Sequence, residues 1–270
     1  MKFLFGSLMV YAGLLFFVIG TLWRLRRWMK SEVPFSLTLF PLSGSTMGKM
    51  RSLTRETFLF SGLYREDRSF WWLAWLFHLS LAVIIVGHIV GIFCDRQQFV
   101  LLGATPEMSR HLSLTFGGIA GCMLLVSVAV LFIRRLSDPM VQRLSPPSAF
   151  FDLVLIGAVA LSGVVIYLPG FQTDIGEIRA YMRGVLHLEP TPLPDNPVFV
   201  IHFSLAVLLV LYLPFSRMFH FGGSFVIRDM YYETPPTYPS PTENSRQGSF
   251  LVKRLYPASV HGGQDKEVCP

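Results

Sequence analysis

The chain has 270 residues, 52% hydrophobic and 15% charged, with a mean hydropathy of +0.50; soluble domains carry about 25% charge, so an ordinary soluble fold is excluded and helix count replaces domain count. The net charge of +6 is divided among segments between apolar runs, a pattern that gives no nucleic-acid signal. Cys94, Cys122 and Cys269 stand far apart with no C-x-x-C pair, which excludes a disulfide framework and a sequence-readable zinc or iron–sulfur site.

A helix crossing a bilayer core needs about 20 apolar residues. Five stretches qualify without any Asp, Glu, Lys or Arg inside: residues 3–23, 69–94, 112–133, 153–173 and 196–216. The first has only Lys2 before it and Arg24, Arg26, Arg27 and Lys30 after it. A signal peptide places its charge on the other side, so this stretch reads as a retained helix. The loop 24–68 mixes charges with Phe and Leu and is too apolar for a solvated linker; it is expected to pack against something. The second stretch opens with Trp71, Trp72 and Trp75, an interfacial aromatic belt, and carries His78 and His88. The third starts beside Arg110 and His111, contains Gly117, Gly118 and Gly121, and ends at Arg134 and Arg135. The fourth carries no histidine, and His187 follows it in a loop expected to be solvated. The fifth holds His202 and Pro214, with Arg217 and His220 just past its end. From Tyr231 the tail contains Thr-Pro-Pro-Thr-Tyr-Pro-Ser-Pro, an extended Pro-rich composition, and ends beyond His261. No internal repeat is present, which argues against a transporter built from matching halves.

Lys and Arg accumulate in cytoplasmic loops. With the N-terminus outside, segments 24–68, 134–152 and 217–270 carry 9, 3 and 6 basic residues, against 1, 2 and 2 for segments 1–2, 95–111 and 174–195. The expected fold is therefore an all-α integral membrane protein with five transmembrane helices, N-terminus outside and C-terminus cytoplasmic. It is expected to be multi-pass in the cytoplasmic (inner) membrane. Residues 1–230 form the membrane domain, with the cytoplasmic loop 24–68, and 231–270 the Pro-rich cytoplasmic tail.

An ionisable residue inside a span is costly and defaults to a functional hypothesis. Taken singly, a membrane histidine is accounted for by an interhelical hydrogen bond. Four histidines, two by two on helices two and five, favour a different reading. At about 1.5 Å per residue, His88 lies roughly 15 Å further out than His78. Helix five runs the other way, so His202 lies near the outer face and His220 near the cytoplasmic one. Depth alone pairs His88 with His202 and His78 with His220. Two pairs at two depths suit two bis-histidine b haems stacked across the membrane, low-spin centres that move electrons and bind no oxygen. Eighteen residues at about 100° return His202 and His220 to one face, and ten leave His78 and His88 about 80° apart. Eighteen residues of straight helix would span about 27 Å, too far to match the other pair. Pro214 is expected to bend or end the helix so that His220 turns back. The glycines on helix three, with Gly87 and Gly91 beside His88, offer room for a flat macrocycle or simply close helix packing.

Helix two reads HLSLAVIIVGHIVGIF (78–93), helix five HFSLAVLLVLYLPFSRMFH (202–220), and helix three contains FGGIAG (116–121) and RRLSDP (134–139). These residues resemble the gamma subunit of respiratory nitrate reductases, the NarI-like dihaem cytochrome b family. That family also supplies membrane cytochrome b subunits of sulfite-reduction-associated, heterodisulfide-reductase-like complexes. The resemblance covers about residues 1–230. It implies two haem b groups ligated by His78, His88, His202 and His220, and quinol oxidation near the outer haem. It further implies electron delivery through the inner haem to a cytoplasmic iron–sulfur subunit, either nitrate reductase beta-like or heterodisulfide-reductase-like. On this reading the chain is the electron-transfer subunit of a quinol-dehydrogenase-type oxidoreductase and contains no terminal catalytic site. The same scaffold run backward would be a quinone reductase, and without haem it would be a membrane anchor or assembly subunit.

Arg110 and His111 lie close in depth to His88, where they can hydrogen-bond a quinone carbonyl or accept a quinol proton, or act as interfacial anchors. Arg134 and Arg217 lie at the depth of the inner pair. They suit haem propionates, since guanidinium favours carboxylate, or simply obey the positive-inside rule.

Overall fold

The computed structural model describes residues 2–30, 46–93, 98–189, 191–220 and 223. Part of the loop 24–68, the Pro-rich tail, Cys94, Cys269 and His261 lie outside the described residues. All regular structure among the described residues is helical: α1 (Lys2–Lys30), α2 (Thr46–Leu59), α3 (Ser61–Glu66), α4 (Arg68–Phe93), α5 (Pro106–Ser137), α6 (Pro139–Leu144), α7 (Pro147–Val165), α8 (Ile175–Leu186) and α9 (Pro197–Tyr212), with short 3-10 turns. Five of these helices, α1, α4, α5, α7 and α9, are long and apolar enough to cross a membrane.

The helix starts follow local chemistry. Asp138 and Asn196 accept the first backbone N–H groups of α6 and α9, and Thr105 accepts from Met108 in α5. Each of these helices has Pro in its first turn, where no N–H is required. The fourth spanning helix differs from the expected 153–173: it starts at Pro147 and ends at Val165. Pro146 and Pro147 set its start, and residues 166–171 leave the helix in turns. Asp152 is consequently inside the helix, buried, with Oδ1 lacking a hydrogen-bond partner among the described residues.

The spanning helices pack in the order α1–α9–α7–α5–α4. Large apolar side chains on their outer faces, such as Leu14, Phe16, Val86 and Val126, are exposed, as lipid-facing residues are. Two clusters fill the inside. One joins Val10 of α1, Tyr181 and Val185 of α8, Leu193 of the segment before α9, and Phe199 of α9. The other joins Leu124 and Val128 of α5 with Leu153, Ile156 and Ala160 of α7. Amphipathic α8 thus covers the end of the bundle at which α1 begins, here called the N-terminal end. Burial leaves the Tyr181 hydroxyl with no hydrogen-bond partner among the described residues and pushes its pKa up to about 12. The opposite end carries Arg24, Arg134, Arg135 and Arg217 and is called the arginine-rich end. α4 and α9 do not pack closely on each other along their lengths.

Candidate functional site

The gap between α4 and α9 is bridged by the four histidines. His78 faces His220 with ring centroids 5.9 Å apart and planes at 88°. His88 faces His202 at 6.2 Å and 39°. These are the partners that depth assigned. α9 reaches His220 because its α-helix ends at Tyr212 and continues in two 3-10 turns, Leu213–Phe215 and Arg217–Phe219. Pro214 is buried in the first of them. Arg24 of α1 donates from Nη1 to the carbonyls of Pro214 (2.6 Å) and Ser216, acceptors that the ending helix leaves open. The Arg24 guanidinium also lies over Trp28 and Phe219. A Cβ at Gly20 would lie 2.8 Å from Phe215 and 2.9 Å from Pro214, so only glycine lets α1 come this close to the bend.

Each imidazole has Nδ1 against a backbone carbonyl: His78 with Ala74 at 2.7 Å, His88 with Ile84 at 2.8 Å, His202 with Val159 at 3.2 Å and His220 with Arg217 at 3.3 Å. A carbonyl only accepts, so Nδ1 carries the proton and the lone pair is on Nε2. That is how a metal-binding imidazole is fixed in tautomer and orientation. His202 has a further contact at Nδ1, the Ser162 hydroxyl at 3.1 Å.

These residues fit a haem. An imidazole nitrogen binds a metal such as zinc at about 2.0–2.1 Å. With the ring centre roughly 1.2 Å behind that nitrogen, two trans imidazoles on one metal have centroids about 6.4 Å apart. The observed 5.9 and 6.2 Å are close to this. Among the described residues no three His, Cys, Asp or Glu side chains converge on a point. A metal between either histidine pair would therefore need its remaining ligands from elsewhere, as a macrocycle provides.

The other sequence candidates fall as follows. Arg110 and His111 are exposed in the first turns of α5. Nearby, Ser113 donates to Gln98 Oε1, and Gln98 Nε2 donates to the Gly87 carbonyl at 2.9 Å. This chain of contacts sets the start of α5 near the depth of His88. Arg134 lies over the Phe70 ring at 4.3 Å. Arg217 is exposed, within electrostatic reach of Arg135. Gly117 and Gly121 admit Tyr167 and Val164 of the α7 region, which is helix packing; a Cβ at Gly87 or Gly118 would meet nothing within 4 Å among the described residues. His187 is exposed at the end of α8.

Several residues around the histidines were not singled out by sequence. Gly163 of α7 is one: a Cβ there would lie 3.1 Å from His202 Cε1. Ser162, Gln98 and Arg24 are others. A Ser-Gly pair in an otherwise apolar helix was the available signal for the first two; Arg24 was absorbed into a run of loop charges.

Comparison with known proteins gives the same family as the motifs. The nitrate reductase gamma subunit family matches residues 33–236. The chain is 26% identical over 258 residues to the Hdr-like menaquinol oxidoreductase cytochrome b-like subunit of Archaeoglobus fulgidus, covering 82% of this chain and 77% of the relative. The protein of the same description from Archaeoglobus profundus is also 26% identical, covering 86% of this chain and 77% of the relative. The nitrate reductase gamma chain of Bacillus subtilis is 28% identical over 156 residues, covering 54% of this chain and 68% of the relative. With the family match running through α4, α5, α7, α9 and all four membrane histidines, the chain belongs to the nitrate reductase gamma subunit family.

Proposed function

We propose that this protein is the membrane electron-transfer subunit of an oxidoreductase complex, a dihaem cytochrome b working between the quinol pool and a cytoplasmic iron–sulfur subunit. His88 and His202 hold one b haem and His78 and His220 the other. Each haem, when bound, would supply a one-electron centre, with the two imidazoles of its pair as the protein groups that hold it. The observation that carries the reading is the pair of facing histidines at each of two depths, 5.9 and 6.2 Å apart, every one with Nδ1 on a backbone carbonyl.

The chain's own residues do three things. The carbonyl contacts hold the rings with Nε2 directed away from the backbone. The apolar spanning helices that carry the pairs set them within the hydrocarbon layer. The 18 basic residues of segments 24–68, 134–152 and 217–270 orient the molecule with its N-terminus outside. Quinol then meets the His88–His202 end, where Arg110 donates a hydrogen bond to one of its oxygens and His111 accepts its two protons one at a time for release outward. Menaquinol is the favoured class because two relatives are menaquinol oxidoreductase subunits by description. At the cytoplasmic end Arg134 and Arg217 neutralise haem propionates, and the loops there receive the iron–sulfur partner, heterodisulfide-reductase-like or nitrate reductase beta-like.

The test is a set of four single substitutions, His78→Ala, His88→Ala, His202→Ala and His220→Ala, read by reduced-minus-oxidised spectra of the purified chain. Members of a pair are expected to remove the same b-type component and leave the other. Four unrelated phenotypes, or no b-type band in the parent protein, would overturn the reading.

A further inference from the structure

The inner and outer histidine pairs are held by different devices. His202 is steadied by α7. The His78 ring is covered from the chain segment that precedes α4. Phe60 lies against it, with centroids 4.9 Å apart and planes at 56°. Phe77 meets the same ring edge-on at 5.1 Å.

Phe60 reaches this position at a conformational cost. It stands between α2 and α3 with φ 46° and ψ 45°, a left-handed backbone that bulky residues rarely adopt. Such strain persists only where neighbours over-determine it, and here three neighbours do. The Trp71 indole Nε1 donates to the carbonyl of Leu59, the residue before Phe60, at 2.7 Å. Glu56 takes the Ser61 hydroxyl and the Gly62 amide, the latter at 3.0 Å, closing the chain on the other side of Phe60. Tyr64 packs edge-on against Trp71 at 5.1 Å. The α2–α3 segment is thereby hooked to the first turn of α4, and its left-handed residue presents its ring to His78.

We propose that Phe60 is a positioning residue: it sets the plane of the His78 imidazole, and so couples the α2–α3 segment to the electronic state of the haem held by His78 and His220. This rests on the haem reading above. The angle between two axial imidazole planes governs the splitting of the iron d orbitals. The 88° of this pair against 39° for the other is therefore a property that a flat ring leaning on His78 can maintain. Leucine in place of Phe60 keeps apolar bulk but loses the flat face.

The experiment is electron paramagnetic resonance of the oxidised full-length chain, purified with its haem content measured. The parent protein should give two low-spin ferric signals, and the His78–His220 signal is identified by its absence in His220→Ala. Phe60→Leu is expected to shift the largest g value of that signal alone, with both haems retained, and Phe60→Tyr to restore it. Unchanged signals in Phe60→Leu, or equal shifts of both, would overturn the proposal while leaving the haem reading intact. A parent protein without b haem would remove the haem reading and this proposal together. If Phe60→Leu does not accumulate, Trp71→Phe releases the Leu59 carbonyl without touching Phe60. A shift of the same signal then supports the proposal, and an unmoved one overturns it.

Discussion

At His202 the nearest constraints come from another helix. Ser162 and the Val159 carbonyl meet its Nδ1, and Gly163 leaves only enough room for its ring. Gly163→Ala should therefore displace the ring. The expected outcome is loss of up to half of the bound haem, confined to the component that His88→Ala also removes, and haem-to-protein ratios check it. Ser162→Ala should act more mildly, because the Val159 carbonyl remains as acceptor. One hydrogen bond is worth about 0.5–1.5 kcal/mol, so a redox titration should show that component moving by no more than about 60 mV for a one-electron couple. The histidines were legible in the sequence because charge-capable side chains are rare in apolar runs. Their supports were not. A serine and a glycine in a spanning helix are ordinary packing residues until the fold shows which helix faces His202.

The bend in α9 is the feature on which the second pair depends. Its need was readable from spacing: 18 residues of straight helix reach about 27 Å, and ten on the partner helix only about 15 Å. Pro214 marked the place. What holds the bend was not readable, because Arg24 sits 190 residues away in sequence from the Pro214 carbonyl it meets. Pro214→Ala should let α9 continue as regular helix and carry His220 away from His78. Arg24→Ala should leave two carbonyls without their donor and loosen the same turn. Both are expected to deplete the His78–His220 component and spare the other, with Pro214→Ala the more severe; low-temperature difference spectra distinguish the two components. The fourth spanning helix was placed too late in the sequence for a related reason. The expected span admitted no Asp and so began after Asp152, yet the fold buries this residue where Tyr212 and Arg135 approach its carboxylate, and a carboxylate with such neighbours is compatible with a spanning helix.

For the molecule as a whole, five helices of membrane length were readable because hydropathy and length are local properties, whereas their packing order was not. The order α1–α9–α7–α5–α4 leaves α4 and α9 apart, joined through their histidines. The charge distribution makes its own prediction. A fluorescent protein that folds only in the cytoplasm, fused after Pro270, should be bright, and the same reporter fused ahead of Met1 should be dark; the reverse pattern would invert the proposed orientation. All of this serves one claim, that the two facing pairs hold two b haems. Its most direct measurement is the haem content of the purified full-length chain, by extraction and reduced-minus-oxidised absorbance. The account predicts two non-covalently bound b haems per chain, both reducible by a menaquinol analogue. A haem-free chain, or one haem per chain unaffected by His220→Ala, would contradict it.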